Sequence, residues 1–305
     1  MNWRLKLVLL FVKLQKPLDV TKDVNVSELR RKSEVAARLG SKILDRPVEI
    51  LKVTNALADN VPVRIYQNSE ATGQRVMIFY HGGGFVLYHL DAHDNACRRL
   101  CKMNNCIVVS VDYRLAPEHP YPASHNDAFT AIKWAIQNIS SYGGNPDDMI
   151  VCGDSAGGNL SACMAHRCRT EGIKLKAQIL IYPWIDGKLN NPSITRNDHG
   201  YLLERDVMFW FQKMYTPNKE DECKPDISPS YQTDFTGLAP AFVLTAQFDP
   251  LLDDGFNYSN QLKAGGNRVV YKEYPELVHG FFTIPRVDRM AKQSYYDIAE
   301  FIKTV

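Results

Sequence analysis

The feature that most constrains this chain is a rhythm. Short, continuously apolar runs rich in β-branched residues recur at 76–80, 106–111, 149–153, 178–182, 241–246 and 269–274, with helix-length segments between them. A strand that alternates apolar and polar residues keeps one face wet, whereas a strand apolar throughout is buried on both faces. Such strands, joined by crossovers with room for helices at 91–103, 127–138, 155–170, 253–263 and 288–303, specify a mostly parallel sheet flanked by helices. Two more strands are expected at 48–53 and 61–66. The fold class is therefore α/β, doubly wound.

Two regions break the rhythm. Before the first strand, residues 3–16 read as a helix with Leu7, Leu10, Phe11 and Leu14 on one face and Lys6, Lys13 and Lys16 available for the other. Its apolar core, 7–12, is too short for a signal peptide or a membrane span. Packing over the functional site is expected of it, and resting on a membrane surface is the other reading. A second helix is expected at 26–44, with Ser27 as its cap and a stop before Pro47. Later, 183–238 has no strand-like run but is dense in aromatic residues, longer than a crossover needs. The expected organisation is N-terminal cap helices at 1–46, a first core part at 47–182, a cap insertion at 183–238 and a second core part at 239–305.

Thirty-six basic against thirty-four acidic residues leave a formal charge of +2, too balanced for a protein that must hold nucleic acid. The seven cysteines include no CxxC pair, so neither a disulfide framework nor a zinc site is expected; reduced thiols and no metal are.

The chemistry gathers where strands end. Gly153, Asp154, Ser155, Ala156 and Gly157 form a GxSxG pattern, weak alone but here placed between a strand and a helix. That turn exposes a serine hydroxyl and aims a helix N-terminus at developing negative charge. His81 to Phe85 follow another strand, and the run Gly82, Gly83, Gly84 offers backbone N–H groups with no side chain in the way. Asp249 and His279 follow two later strands, so the order is Ser, Asp, His, as an α/β-hydrolase triad requires. Serine becomes nucleophilic when His279 takes its proton, and Asp249 would orient that histidine. Asp253 and Asp254 are rival acids, expected instead to cap the helix that follows. His89, His93, His119, His125, His166 and His199 read as surface or supporting residues, and His81 as a brace for its loop.

HGGGF at His81, YRLAPEHPYPA from Tyr113, GDSAGGNL from Gly153, DPLLDDG from Asp249 and HGF at His279 together resemble the motif set of the hormone-sensitive lipase family of esterases. The resemblance implies the α/β-hydrolase fold, with Ser155, Asp249 and His279 as triad and the amides of Gly83, Gly84 and Ala156 as oxyanion donors. His81, Gly82 and Asp154 complete the motifs in supporting roles. It further implies hydrolysis of short- to medium-chain carboxylic esters without a cofactor, and a homodimer through a sheet edge. Plant hormone receptors similar to this family lack the histidine that stands here as His279. A cytoplasmic serine carboxylesterase is thus expected; an amidase or deacetylase, a lipase, or a non-catalytic binder are the alternatives. Trp184, Leu202, Phe209 and Trp210 are candidates for lining the substrate pocket.

Overall fold

The structure is a computed structural model that describes residues 1–14, 20, 23–45 and 47–305; the side chains of 12 and 38–44 are also left out, and Lys16, assigned to the first helix from sequence, lies outside the described residues. Among those residues one eight-stranded sheet organises the chain. Its strands are β1 (Lys52–Ala58), β2 (Val61–Gln67), β3 (Gln74–Tyr80), β4 (Ile107–Val111), β5 (Gly144–Asp154), β6 (Ala177–Ile181), β7 (Ala241–Phe248) and β8 (Val269–Val278), in spatial order β1-β2-β4-β3-β5-β6-β7-β8. β1 and β2 pair antiparallel, β2 joins β4 antiparallel, and every later pairing is parallel.

The helices are α1 (Trp3–Leu14), α2 (Val26–Leu44), α3 (Asp94–Asn104), α4 (Ala123–Asn138), α5 (Ala156–Thr170), α6 (Pro192–Arg196), α7 (Arg205–Tyr215), α8 (Leu252–Ala264) and α9 (Arg289–Ile302). Continuous apolarity in the strands has the expected consequence. Val76, Ile78 and Tyr80 of β3 join one buried cluster with α4 and α5, while Met77 and Phe79 join another with α3 and α9. α8 packs on the α5 side through Tyr258 and Leu262. Each fully buried Val, Ile or Phe contributes about 1.5–3 kcal/mol, so the two-sided sheet is where most of the stability resides.

Several boundaries differ from expectation: β5 begins at Gly144 rather than at 149, α4 at Ala123 rather than at 127, and β8 runs on to Val278. The first strand begins at Lys52 rather than at 48, because the tight turn at Asp59 sets its register on β2, pairing Lys52 with Gln67 and Ala58 with Val61. α2 is capped by Asn25, not Ser27: the Asn25 carboxamide oxygen accepts the Glu28 N–H at 3.0 Å.

Arg30 is one of the contacts that pin α2 to the body, beside Val26 and Leu29 packed on the core. Its guanidinium donates to the carbonyls of Val86 (2.7 Å) and Ala116 (2.6 Å) and pairs with Glu118. These carbonyls belong to the loops after β3 and β4, so the helix is held across the carboxyl edge of the sheet. A hydrogen bond to a charged donor contributes about 1.5–3 kcal/mol. Arg30→Ala should therefore raise amide hydrogen exchange in residues 26–37 by tenfold or more, as roughly 1.4 kcal/mol suffices for that factor, while β3 and β5 keep their protection. Unchanged exchange in α2 would show that other contacts hold it.

Candidate active site

β5 ends at Asp154 and α5 begins at Ala156, so a single residue makes the turn. That residue is Ser155, with φ 56° and ψ −118°, backbone angles that a non-glycine residue rarely adopts. Its side chain caps nothing: the hydroxyl does not bond to the helix it precedes, which sets aside the plain capping role for a serine here. Glycine is required on either side by crowding. A Cβ on Gly157 would lie 1.9 Å from the Tyr80 carbonyl oxygen, and one on Gly153 would lie 2.2 Å from the Gly157 oxygen.

The chain returns to this point twice. Asp249 follows β7 and is fully buried, and His279 follows β8. His279 Nδ1 stands 2.7 Å from Asp249 Oδ2, and His279 Nε2 stands 3.0 Å from Ser155 Oγ. The other Asp249 oxygen accepts the Leu251 N–H at 2.8 Å, so the carboxylate is held at both ends. Of the rival acids, Asp254 accepts the N–H groups of Ile185 and Asp186 and the Asn191 carboxamide, while Asp253 accepts the Ser193 N–H. They were expected to cap α8. Instead they fasten the start of the 183–238 insertion, Asp253 serving the first turn of α6, because that backbone and not α8's lies within reach of their carboxyls. Burial pushes the Asp254 carboxyl up to about 7.

The glycine run lies alongside Ser155. Asp154 Oδ1 accepts the Gly82 N–H at 2.8 Å, which consumes that donor. The amides of Gly83 and Gly84 make no backbone hydrogen bond among the described residues. Ala156 opens α5, where an N–H has no acceptor within the helix. His81 is fully buried, stacks on Tyr113 with ring centroids 4.3 Å apart, and places Nδ1 2.7 Å from the Gly82 carbonyl. Burial pushes its pKa down, which keeps the ring neutral.

Sequence reasoning reads His93 only as a surface or supporting residue. It is buried, it reaches the cavity wall, and its Nε2 lies 3.1 Å from Asp154 Oδ1. Burial alone would raise the Asp154 pKa, but His93 and the Gly82 N–H bring it below the ordinary carboxylate range. Two other histidines read as surface or supporting residues, His125 and His166, are buried within the α4 and α5 layer, away from the site. Helix periodicity alone does not reveal which face of α4 or α5 meets an aromatic neighbour such as Tyr215 or Tyr258.

Above Ser155 opens a cavity of about 410 Å³. Its floor is Gly82–Gly84, Ser155 and His279; its walls include Val8 of α1, Ala36 and Ala37 of α2, and Leu203, Met208 and Phe211 from the insertion. Of the four side chains singled out from sequence, Leu202 lines it. Trp184 packs against Phe85 instead, Trp210 is buried against Phe211, and Phe209 points to solvent, because α7 turns Val207, Met208 and Phe211 inward. Among the described lining residues there is no lysine or arginine. No cluster of three or more His, Cys, Asp or Glu placed to hold a metal ion occurs among the described residues. The seven cysteines are unpaired, and burial pushes thiols such as Cys101 and Cys168 up to about 12.

A family model described as alpha/beta hydrolase fold matches residues 77–283, from β3 to just past His279. The chain belongs to the α/β-hydrolase family. This hydrolase is 42% identical over 227 residues to carboxylesterase NlhH of Mycobacterium tuberculosis, covering 73% of this chain and 71% of that one. It is 30% identical over 287 residues to the ethyl acetate hydrolase of Pseudomonas putida, covering 92% and 90%. Among solved structures, the hyperthermophilic esterase of Pyrobaculum calidifontis superposes with a TM-score of 0.93 at 33% identity, covering 100% and 98% of the two chains. The hormone-sensitive lipase type indicated by the motifs agrees with these neighbours.

The buried histidines of this hydrolase give it a pH signature. Burial lowers His125 to about 3 and His166 to about 4, and lowers His81 as well. Below an unfolded histidine pKa of about 6.5 the unfolded chain takes up protons that the native one refuses, so each group costs up to about 1.4 kcal/mol per pH unit as pH falls. Asp254, raised to about 7, acts in the opposite sense over the same window, since its native form takes up a proton first. His89, raised by its hydrogen bond to Asp112, acts in the same sense as Asp254. Three groups against two make the net effect a loss, because the three lowered histidines lie far below their unfolded value. The urea midpoint should therefore be lower at pH 5 than at pH 7; a level midpoint would contradict neutral burial of the three rings.

Proposed function

We propose that the protein is a serine carboxylesterase acting on small, uncharged carboxylic esters through an acyl-enzyme. The observation that carries this reading is the line from Ser155 Oγ to His279 Nε2 and from His279 Nδ1 to Asp249, opening into a largely apolar cavity, with no lysine or arginine among its described lining residues, beside unpaired amides. The esterases to which the chain is similar support it.

In this reading His279 carries its proton on Nδ1, donates it in a hydrogen bond to Asp249, and accepts the Ser155 hydroxyl with Nε2. As Oγ attacks the ester carbonyl, the proton passes to Nε2 and the carbonyl oxygen becomes an oxyanion. The N–H groups of Gly83, Gly84 and Ala156 would receive it, with the start of α5 adding its positive end. His279 then gives the proton to the departing alkoxide, and the acyl group stays on Ser155. Water, deprotonated by His279, releases the acid and restores the hydroxyl. Residues 1–46 and 183–238 serve as cap, supplying the apolar walls over a core formed by 47–182 and 239–305.

Ser155→Ala should lower kcat by about 10⁶ and abolish labelling by a fluorophosphonate, and Asp249→Asn should lower it by about 10⁴ with the tautomer of His279 misplaced. Wild-type turnover of a short p-nitrophenyl ester by Ser155→Ala would refute the assignment.

The cavity volume bounds the acyl group. Phe211 stands over Gly84, where an added Cβ would meet its ring at 2.3 Å. With about 410 Å³ available, kcat/KM along a p-nitrophenyl ester series should peak at short to medium chains. Phe211→Ala should move the optimum to longer ones, since one methylene is worth roughly 1 kcal/mol or more in an apolar pocket. An optimum unmoved by Phe211→Ala would place the acyl chain elsewhere.

A further inference from the structure

α1 is apolar on two sides, and only one of them packs. Leu5 is buried, and Val8 and Leu9 are half-buried, with Val8 on the cavity wall. The face carrying Leu7, Leu10, Phe11 and Leu14, expected from sequence to lie against the protein, points the other way. Together with Trp3 these side chains are between 53% and 74% exposed. The inner residues satisfy the packing by themselves, and Asn2 fixes the helix start by donating to the Val287 carbonyl and accepting the Leu5 N–H. The outward face is thus presented on a helix anchored to the body.

At 100° per residue, Trp3, Leu7, Leu10, Phe11 and Leu14 fall within a stripe about 100° wide. Lys6 and Lys13 border it on one side and Arg4 on the other, and all three are exposed. The first acidic residue in the sequence is Asp19. Five large apolar side chains on one contiguous face exceed the scattered exposure usual for a protein surface. An apolar stripe edged by cations matches the boundary between anionic headgroups and acyl chains. A second copy of the chain fits less well: facing two such helices would bring six cations together with no acid between them.

We propose that α1 docks the protein on an anionic lipid surface, with Trp3, Leu7, Leu10, Phe11 and Leu14 entering the acyl boundary and Arg4, Lys6 and Lys13 meeting the headgroups. α1 does not cross: no helix among the described residues is long and apolar enough to span a membrane. Because Val8 lines the cavity, docking holds the site of the proposed esterase beside a phase in which apolar esters concentrate. Binding itself does not depend on that reading.

The test is co-sedimentation of the full chain with large vesicles of phosphatidylcholine and phosphatidylglycerol in about a three-to-one ratio, against phosphatidylcholine alone. Binding is expected to the anionic vesicles, weakening at roughly 0.5 M salt as headgroup charge is screened. The Leu10→Glu/Phe11→Glu and Lys6→Glu/Lys13→Glu variants should each bind at least about tenfold more weakly. Both should keep the wild-type melting temperature and their turnover of a soluble ester, since none of the four residues lines the cavity. No sedimentation with anionic vesicles, equal binding by the variants, or a solution dimer that Leu10→Glu/Phe11→Glu dissociates would overturn the proposal. Loss of esterase activity in Ser155→Ala with vesicle binding retained would keep the two readings separate.

Discussion

Everything at this site depends on one turn being held in a conformation it would not choose. Ser155 occupies a positive φ that costs on the order of 1–3 kcal/mol, and its neighbours over-determine it. Its N–H donates to the Ile181 carbonyl at 2.9 Å, its carbonyl accepts from Trp184 at 3.2 Å, and Gly153 sits in register with Tyr80 across the β3–β5 pair. Close contact between Gly157 and the Tyr80 carbonyl lets α5 approach the sheet so nearly that the serine has no room to relax into the helix. The burial of β3, β5 and β6 on both faces supplies far more than this strain costs.

The insertion is tied to the same point from several sides. Asn159 of α5 donates to the carbonyls of Trp184 and Ile227, and Asn197 donates to the Asp249 carbonyl. Asp254 receives the backbone of Ile185 and Asp186. The segment that walls the cavity thus also holds the loop carrying the acid. Changes made there to alter substrate preference are coupled to the placement of Asp249, and with it His279.

Legibility in the sequence followed locality. Strands buried on both faces announce themselves in six residues, and motifs such as GDSAGG or HGGGF are contiguous, so the sheet could be read directly and the residues that the structure brings together at Ser155 could be nominated from sequence. What depends on distant neighbours could not. The sequence favours packing for the Leu7, Leu10, Phe11 and Leu14 face of α1 and leaves a membrane surface as the other reading, because a helix apolar on both sides has no periodicity that says which side packs. His93, His125 and His166 are buried by partners far away in the chain, and single residues carry no trace of that. Among the insertion's aromatics, inward direction was set by the placement of α7, which left Leu202 as the one candidate of four on the wall.

Asp154 shows how a motif residue can restrict a site by occupying one of its donors. A buried carboxylate next to Ser155 is costly unless it is fully bonded, and here it accepts the Gly82 N–H and lies against His93. A Cβ on Gly82 would come within 2.6 Å of the other carboxylate oxygen, so glycine is needed at that position for contact with Asp154. The Gly82 N–H is therefore withdrawn from the cavity, and the loop is fastened one residue before Gly83 and Gly84. With their positive φ values those two turn the chain back over Ser155. Of three successive glycines, the first serves to anchor the loop, which leaves the amides of the second and third without a backbone partner among the described residues, as the proposed oxyanion site requires.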